Sequence, residues 1–141
     1  MDMRRKSAWW SVTASLTVGM WAGTVIASAG AAAAQKSVKD GVYTAAQADR
    51  GETLFGGSCA SCHNPKDFTG KEFLDKWQGK QLFELFDTIK ATMPMDSPGS
   101  LKPEQYADTV AYLLEMNAFP AGSDDLKADD EALKAITIDV K

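Results

Sequence analysis

The chain has 141 residues, of which 45% are hydrophobic and 24% are charged, and its 15 basic and 19 acidic side chains give a formal charge of −4. This composition fits one small globular domain and excludes a collagen-like repeat or a disordered polyanion. The acidic balance, without a long run of Lys and Arg, argues against sequence-independent nucleic-acid binding, and the single histidine excludes a metal centre built from several imidazoles of one chain.

The first 34 residues are predicted to be a secretory signal peptide. Basic residues occupy positions 4–6, no charged residue occurs from Ser7 to Gln35, and the uncharged stretch contains the four alanines 31–34. A basic start, an uncharged middle and a small-residue end are typical of a signal peptide, here cleaved after the last of these alanines. The alternative is an uncleaved membrane anchor, because about 20 apolar residues can span a bilayer. The mature protein is then expected in the periplasm.

Removal of residues 1–34 changes the charge of the remaining chain. Three of the 15 basic residues and one of the 19 acidic residues leave with it, so residues 35–141 carry 12 basic and 18 acidic side chains, a formal charge of −6. A chain this short usually gains stability from a disulfide, a metal or a cofactor. Its negative charge predicts partners with basic docking patches and an association rate that falls with salt.

The first predicted helix of the domain starts after Thr44, whose hydroxyl is suited to cap it. Gly51 and Phe55 are four residues apart and share a face that is able to meet another helix. The Gly56-Gly57 pair is predicted to end this helix just before the two cysteines.

The two cysteines and the histidine form the sequence Cys59-Ala60-Ser61-Cys62-His63, a C-x-x-C-H motif. A disulfide between these cysteines closes too small a loop to stabilise much, a thioredoxin-like redox pair needs a βαβ context, and a zinc site needs further Cys or His ligands that the chain lacks. The motif is typical of covalent haem c attachment. On a helical turn Cys59 and Cys62 face the same side, where their sulfurs can add to the two haem vinyl groups, and His63 brings an imidazole nitrogen to the iron.

Two further helices are predicted after the motif. One has an apolar stripe at the i, i+3, i+4, i+7 spacing, formed by Leu82, Leu85, Phe86 and Ile89. Residues 93–99 contain two prolines and a glycine and are predicted to be irregular. Pro103 suits the first position of the last helix, which is predicted to stop before Pro120. The apolar stripe of this last helix consists of Tyr106, Val110, Leu113 and Leu114.

These elements in this order resemble a small monohaem class I cytochrome c over about residues 42–122. The features that carry the resemblance are Gly51-x-x-x-Phe55, the C-x-x-C-H motif, Met93-Pro94 and the helix Val110-Ala111-Tyr112-Leu113-Leu114. The loop after Met93 is more narrowly similar to cytochromes or cytochrome domains that serve quinoprotein alcohol and sugar dehydrogenases. The resemblance implies an all-α fold, the class I cytochrome c fold, with helices wrapped round one covalently bound haem and with the first and last helices crossing at Gly51, Phe55 and Tyr112.

The resemblance also implies the second axial ligand of the iron, directly before the proline, at Met93. Met93 and Met95 are two residues apart, and neighbours at this spacing in an extended segment point in opposite directions, so only one of them can face the haem. Pro94 biases Met93 toward an extended conformation, and Met95 is expected near the surface or the rim of the pocket. The alternative is that both methionines only fill a pocket beside a five-coordinate haem.

Trp77 is the tryptophan that remains after removal of the signal peptide. The resemblance suggests that its indole N–H donates to a haem propionate; the alternative is that the ring only covers the haem edge. Two interpretations also stand for the lysines near it in sequence: a docking surface for an acidic partner, or a solvated surface, which the acidic residues between them favour. These lysines are Lys66, Lys71, Lys76 and Lys80.

The predicted function is one-electron transfer, late in a respiratory chain, through one haem c per chain ligated by His63 and Met93. The protein is predicted to be a carrier rather than an enzyme, with a dehydrogenase or reductase as donor and an oxidase or further cytochrome as acceptor. One alternative is a fixed electron-transfer subunit of a quinoprotein dehydrogenase complex. Another is a haem peroxidase with an open sixth position, against which the lack of an evident distal His or Arg counts.

The predicted organisation has four parts. They are a signal peptide at 1–34, a short N-terminal extension at 35–43, the cytochrome c domain at 44–122 and an acidic C-terminal tail at 123–141. Within the tail, alternating apolar residues predict a short strand that packs it down: Ile136, Ile138 and Val140.

Overall fold

The computed structural model of the protein describes residues 35–140, so the predicted signal peptide lies outside the described residues. Within this range the chain forms α1 (Ala45–Ser58), α2 (Gly70–Trp77), α3 (Leu82–Thr92), α4 (Pro103–Met116) and α5 (Asp130–Lys134). Short 3-10 helices at Val38–Asp40 and Pro65–Phe68 and the two-residue strands β1 (Lys36–Ser37) and β2 (Ile136–Thr137) complete it. The all-α prediction is confirmed, and no helix of residues 35–140 is long and apolar enough to cross a bilayer.

Helices α1 and α4 cross at Gly51. A Cβ atom at Gly51 would lie 2.0 Å from the carbonyl oxygen of Asp108 and 2.9 Å from the Cβ of Tyr112, so a residue without a side chain is what allows the two helices to approach. Beside the crossing, the rings of Phe55 and Tyr112 have centroids 5.7 Å apart. The crossing at Gly51, Phe55 and Tyr112 is therefore confirmed.

The start of α1 agrees with the sequence, but its end does not. Thr44 is the N-cap, and its hydroxyl accepts a hydrogen bond from the backbone N–H of Gln47 at 3.1 Å. The predicted end at Gly56-Gly57 is wrong, because both glycines are helical and α1 continues to Ser58. Neither glycine has a positive φ, so neither forms the left-handed cap that often ends a helix.

The two later helices have the predicted buried faces. In α3, Leu82, Leu85 and Phe86 are buried and Ile89 packs against the core. Helix α4 begins at Pro103, and its stripe of Tyr106, Val110, Leu113 and Leu114 is buried. It ends at Met116, ahead of the predicted stop at Pro120.

The segments 35–43 and 123–140 pack on the helical core. Strands β1 and β2 are parallel, with Lys36 opposite Ile136 and Ser37 opposite Thr137. The buried apolar residues that these segments contribute are Val38, Val42, Tyr43, Leu126, Leu133, Ile136 and Ile138. The predicted domain boundaries at residues 44 and 122 therefore do not match the packing of the chain, since the extension and the tail are both part of the domain.

Polar contacts join the acidic segment to the start of α1. The side chain of Gln47 is 2% exposed; its Nε2 donates to the carbonyl oxygen of Leu126 at 3.0 Å, and its Oε1 accepts from the N–H of Leu126 at 2.6 Å. Asp125 accepts hydrogen bonds from the hydroxyl of Thr44 and from Nη2 of Arg50, the latter at 2.7 Å. These two hydrogen bonds lower the pKa of the Asp125 carboxyl.

Candidate haem site

The C-x-x-C-H motif continues the end of α1 as a helical turn. The N–H of Cys59 donates to the carbonyl oxygen of Phe55 at 2.8 Å, and the carbonyl oxygen of Cys59 accepts from Cys62 at 3.1 Å and from His63 at 2.9 Å. Cys59, Cys62 and His63 all line one cavity. The turn therefore places Cys59, Cys62 and His63 at one common space.

This cavity has a volume of about 810 Å³, within the range of roughly 300–1,000 Å³ that is typical of ligand and cofactor pockets. Its lining comes from α1, the motif, α2, α3, the loop after α3 and α4. The large apolar side chains of its wall are Phe55, Phe68, Phe73, Trp77, Leu85, Ile89 and Leu113. An apolar wall with two thiols and an imidazole at one side fits a flat, largely apolar cofactor held covalently.

Burial raises the pKa of the Cys59 thiol. A redox-active or metal-binding cysteine needs the thiolate, which a raised pKa disfavours. Together with the surroundings of the motif, which within residues 35–140 are helical and not a βαβ unit, this counts against the thioredoxin-like alternative.

The ring of His63 is half-buried and lies against Phe68, with ring centroids 5.3 Å apart. Within residues 35–140 its imidazole makes no hydrogen bond. The backbone just after Phe68 is held from the end of α4 by Asn117, whose Nδ2 donates to the carbonyl oxygen of Phe68 at 2.8 Å and whose Oδ1 accepts from the N–H of Gly70 at 3.1 Å. Asn117 thus supports the wall behind His63. No sequence pattern points to this role, because the partners of Asn117 lie 47 and 49 residues away.

Met93 lies at the end of α3 and lines the cavity. It is the C-cap of that helix, its backbone is extended (φ −127°, ψ 152°), and it precedes Pro94 through a cis peptide bond. Met93 is half-buried and Met95 is 76% exposed, although both border the cavity. Met93 is therefore the better placed of the two to reach into the cavity, and Met95 is at its rim, as expected.

Trp77 ends α2, lines the cavity and is 5% exposed. Its indole Nε1 is buried and has no hydrogen-bond partner among the described residues. The ammonium groups of Lys76 and Lys80 lie 5.4 Å and 4.9 Å from the centre of its ring. A buried donor without an acceptor, beside two cations, fits the carboxylate of a haem propionate, since buried polar groups are normally paired.

Comparison with known families agrees with this chemistry. The family model described as cytochrome C oxidase, cbb3-type, subunit III matches residues 46–113, a range that runs from α1 through the motif and α3 into α4. No curated protein and no solved structure matches the chain. The match, the C-x-x-C-H motif and the helical structure together support a c-type cytochrome domain with the all-α class I fold; domains of this kind bind haem c covalently and normally carry electrons rather than catalyse a reaction.

Proposed function

We propose that the protein is a periplasmic one-electron carrier with one haem c, attached through Cys59 and Cys62 and ligated by His63 and Met93. The observation that carries this proposal is the convergence of these four side chains, from two distant parts of the sequence, on one cavity. The haem supplies a reversible Fe(III)/Fe(II) couple. The protein holds the imidazole and the thioether at fixed positions, and a soft thioether ligand favours Fe(II) and raises the reduction potential.

The charges at the cavity support a basic partner. Three acidic residues border it, Asp67, Glu72 and Asp96, with Lys76 as the basic residue among its lining. Residues 35–141 are also acidic as a whole, with a formal charge of −6 from 12 basic and 18 acidic side chains. An acidic rim attracts a redox partner with a basic docking patch and makes the association rate fall as salt increases.

A peroxidase function has little support from the side chains at the cavity. Arg50 is the arginine that remains after residues 1–34 are removed. It does not border the cavity, and its guanidinium is bound to Asp108 and Asp125, at 3.1 Å and 2.7 Å. If His63 and Met93 hold the iron as proposed, no coordination position would be open for peroxide.

A second candidate is a fixed electron-transfer subunit of a larger complex. The matched family is described as a subunit of an oxidase, and the loop after Met93 resembles cytochromes that serve quinoprotein dehydrogenases. Native purification separates the two functions: a free carrier elutes at its own mass, whereas a fixed subunit elutes with a larger partner. Reduction of the haem by the substrate of a co-purified dehydrogenase would identify the donor.

The test of the haem assignment is covalent retention. The protein, co-produced with a cytochrome c maturation system, is expected to keep its haem through acidified-acetone extraction, and its intact mass is expected to show one haem per chain. The Cys59→Ala/Cys62→Ala double variant is expected to lose the haem to the solvent, whereas Ser61→Ala, inside the same turn, is expected to keep it. Haem lost from the parent protein would refute the assignment.

Periplasmic protein that begins at or near Gln35 would support the export prediction, and membrane-bound protein with residues 1–34 intact would contradict it.

A further inference from the structure

The end of the chain is hydrogen-bonded to the loop between α2 and α3. The N–H of Gly79 donates to the carbonyl oxygen of Ile138 at 2.8 Å, and the N–H of Ile138 donates to the carbonyl oxygen of Lys80 at 2.8 Å. The N–H of Val140 donates to Oε1 of Gln78 at 2.9 Å. We call this set of hydrogen bonds, between residues 78–80 and 138–140, the C-terminal clamp.

The clamp is anchored in the core rather than at the surface. Ile136 and Ile138 are 6% and 2% exposed, and Leu133 of α5 is fully buried. Strand β2 pairs with β1 on one side and forms an antiparallel bridge from Thr137 to Gln81 on the other. Residues 78–80 are therefore held by a segment that cannot move without exposing apolar side chains.

The loop that the clamp holds carries one of the two cations at Trp77. The backbone N–H of Lys80 donates to the carbonyl oxygen of Trp77 at 3.1 Å, and its ammonium lies 4.9 Å from the indole ring centre. Gly79 has a φ of +79°, a conformation that other residues adopt only with strain, and it lets the chain turn back toward Trp77. The position of the Lys80 ammonium thus depends on the shape of this loop.

We propose that the C-terminal segment, residues 136–140, is a positioning element that fixes the Lys80 ammonium beside Trp77 and thereby raises the reduction potential of the haem. A fixed positive charge near the haem opposes the extra positive charge of the oxidised iron, so it favours the reduced form. Without the clamp, Lys80 is free to move into solvent, where water and salt screen its charge. The proposal rests on the haem site proposed above and adds to it a role for the end of the chain.

The test compares reduction potentials of haem-loaded proteins. Two variants disturb the clamp, one from each side: removal of residues 136–141 and, separately, the substitution Gly79→Ala. A Cβ at Gly79 meets no atom within 4 Å, so Gly79→Ala strains only the backbone. Each is expected to shift the redox equilibrium three- to tenfold toward the oxidised form. For a one-electron couple this corresponds to a reduction potential that is roughly 30–60 mV lower. Lys80→Gln is expected to give a shift of the same size and sign.

A double-mutant cycle shows whether the clamp acts through Lys80. In the Lys80→Gln background, Gly79→Ala and the truncation are expected to cause little further shift, because the charge that they would displace is already absent. Lys90→Gln is the matched control: its ammonium lies over Phe86, 5.8 Å from the ring centre, and Phe86 does not line the cavity, whereas the ring beneath Lys80 is Trp77, which does, so removal of Lys90 is expected to change the potential little. Faster amide exchange at Gly79 in the truncated protein would report the opening of the clamp directly.

Two results would overturn the proposal: an unchanged potential in a clamp variant that retains its haem and helical content, or a full additional shift in the Lys80→Gln background. If the truncated chain does not fold, Gly79→Ala carries the same test. A merely structural clamp would lower the melting temperature and leave the potential alone. Loss of covalent haem from the parent protein refutes the haem site itself, so the two failures are distinguishable.

Discussion

The hydroxyl of Tyr106 donates a hydrogen bond to the carbonyl oxygen of Met93, at 2.8 Å. The same hydroxyl accepts from the N–H of Leu101 at 3.3 Å, so it joins the two ends of the loop that carries Met93. Tyr106 is fully buried in α4 and packs edge-on against Phe86 of α3, with ring centroids 6.2 Å apart. The proposed thioether ligand is therefore attached to a backbone that the core holds still.

Tyr106→Phe removes this link and little else. We expect it to cost about 1 kcal/mol of folding free energy, the usual net value of one hydrogen bond. It should also let the thioether-to-iron absorption band disappear at a lower temperature than in the parent, because the Met93 backbone is less restrained. Tyr112→Phe is the control, since the hydroxyl of Tyr112 makes no hydrogen bond within residues 35–140. Equal thermal loss of the band in both variants would contradict the role of Tyr106.

Met93→Ala and Met95→Leu distinguish the ligand from its neighbour. Met93→Ala is expected to abolish the weak red-edge thioether band of the oxidised protein, lower the reduction potential and admit carbon monoxide to the reduced iron. Met95→Leu changes a side chain that is 76% exposed and is expected to leave all three properties nearly unchanged. The reverse pattern would assign the ligand to Met95, and no effect from either would favour a haem with an open position.

Gly51→Ala tests the helix crossing. The added methyl group would overlap the backbone of Asp108, which cannot rotate away, so α1 and α4 must move apart. We expect a loss of about 2–3 kcal/mol, or failure to fold, by analogy with overpacked cores. Gly56→Ala in the same helix meets no atom within 4 Å and is expected to be neutral or stabilising by up to about 1 kcal/mol. Urea unfolding of both variants measures the difference.

Asp125 makes folding stability depend on pH. Its hydrogen bonds to Thr44 and Arg50 hold its folded pKa below the ordinary value of 3.8. The carboxylate therefore contributes its stability fully above that ordinary value, and the contribution is lost as the pH falls through the lowered folded pKa. The stability difference between the parent and Asp125→Asn should be constant above about pH 5 and shrink in more acidic solution.

The neighbouring substitution Asp124→Asn serves as the control for this pH dependence. The carboxylate of Asp124 accepts from the hydroxyl of the adjacent Ser123 and makes no other hydrogen bond or ion pair within residues 35–140. Unfolding free energies measured from pH 3 to pH 7 should show the acid-dependent difference for Asp125→Asn alone. The same profile in both variants would contradict the assignment.

Features that depend on local sequence could be predicted. The haem-attachment turn, the cap at Thr44 and the apolar stripe of α3 each follow from residues within one or two helical turns of each other. The end of α1 could not, because glycines are compatible both with a helix and with its termination, and here the helical hydrogen bonds to Phe55 extend past them. The sequence pattern does not predict helix α2, because this helix has only eight residues, of which Trp77 is the buried one.

The role of the acidic C-terminal segment depends on distant residues. Its charges suggest a solvated tail, yet Leu126, Leu133 and Ile138 are buried. The alternation of Ile136, Ile138 and Val140 predicts that the end of the segment packs down, but the spacing of Leu126 and Leu133 has no simple helical or strand period and gives no signal of burial. What holds the segment is a set of partners far away in sequence, above all Gln47, which is 79 residues from Leu126. Such pairings are visible only once the chain is folded.

The pairing of Lys36 with Ile136 also has a consequence for the order in which the chain can fold. The two strands are about a hundred residues apart in sequence, so β1 has no partner until the chain as far as β2 is available to fold. Helix α1 likewise lacks its packing partner until α4 is available. Cys59 and Cys62 lie between these paired segments, so a chain that enters the periplasm unfolded, as the proposed export requires, offers its thiols to a haem-attaching enzyme before β1 and β2 close the domain.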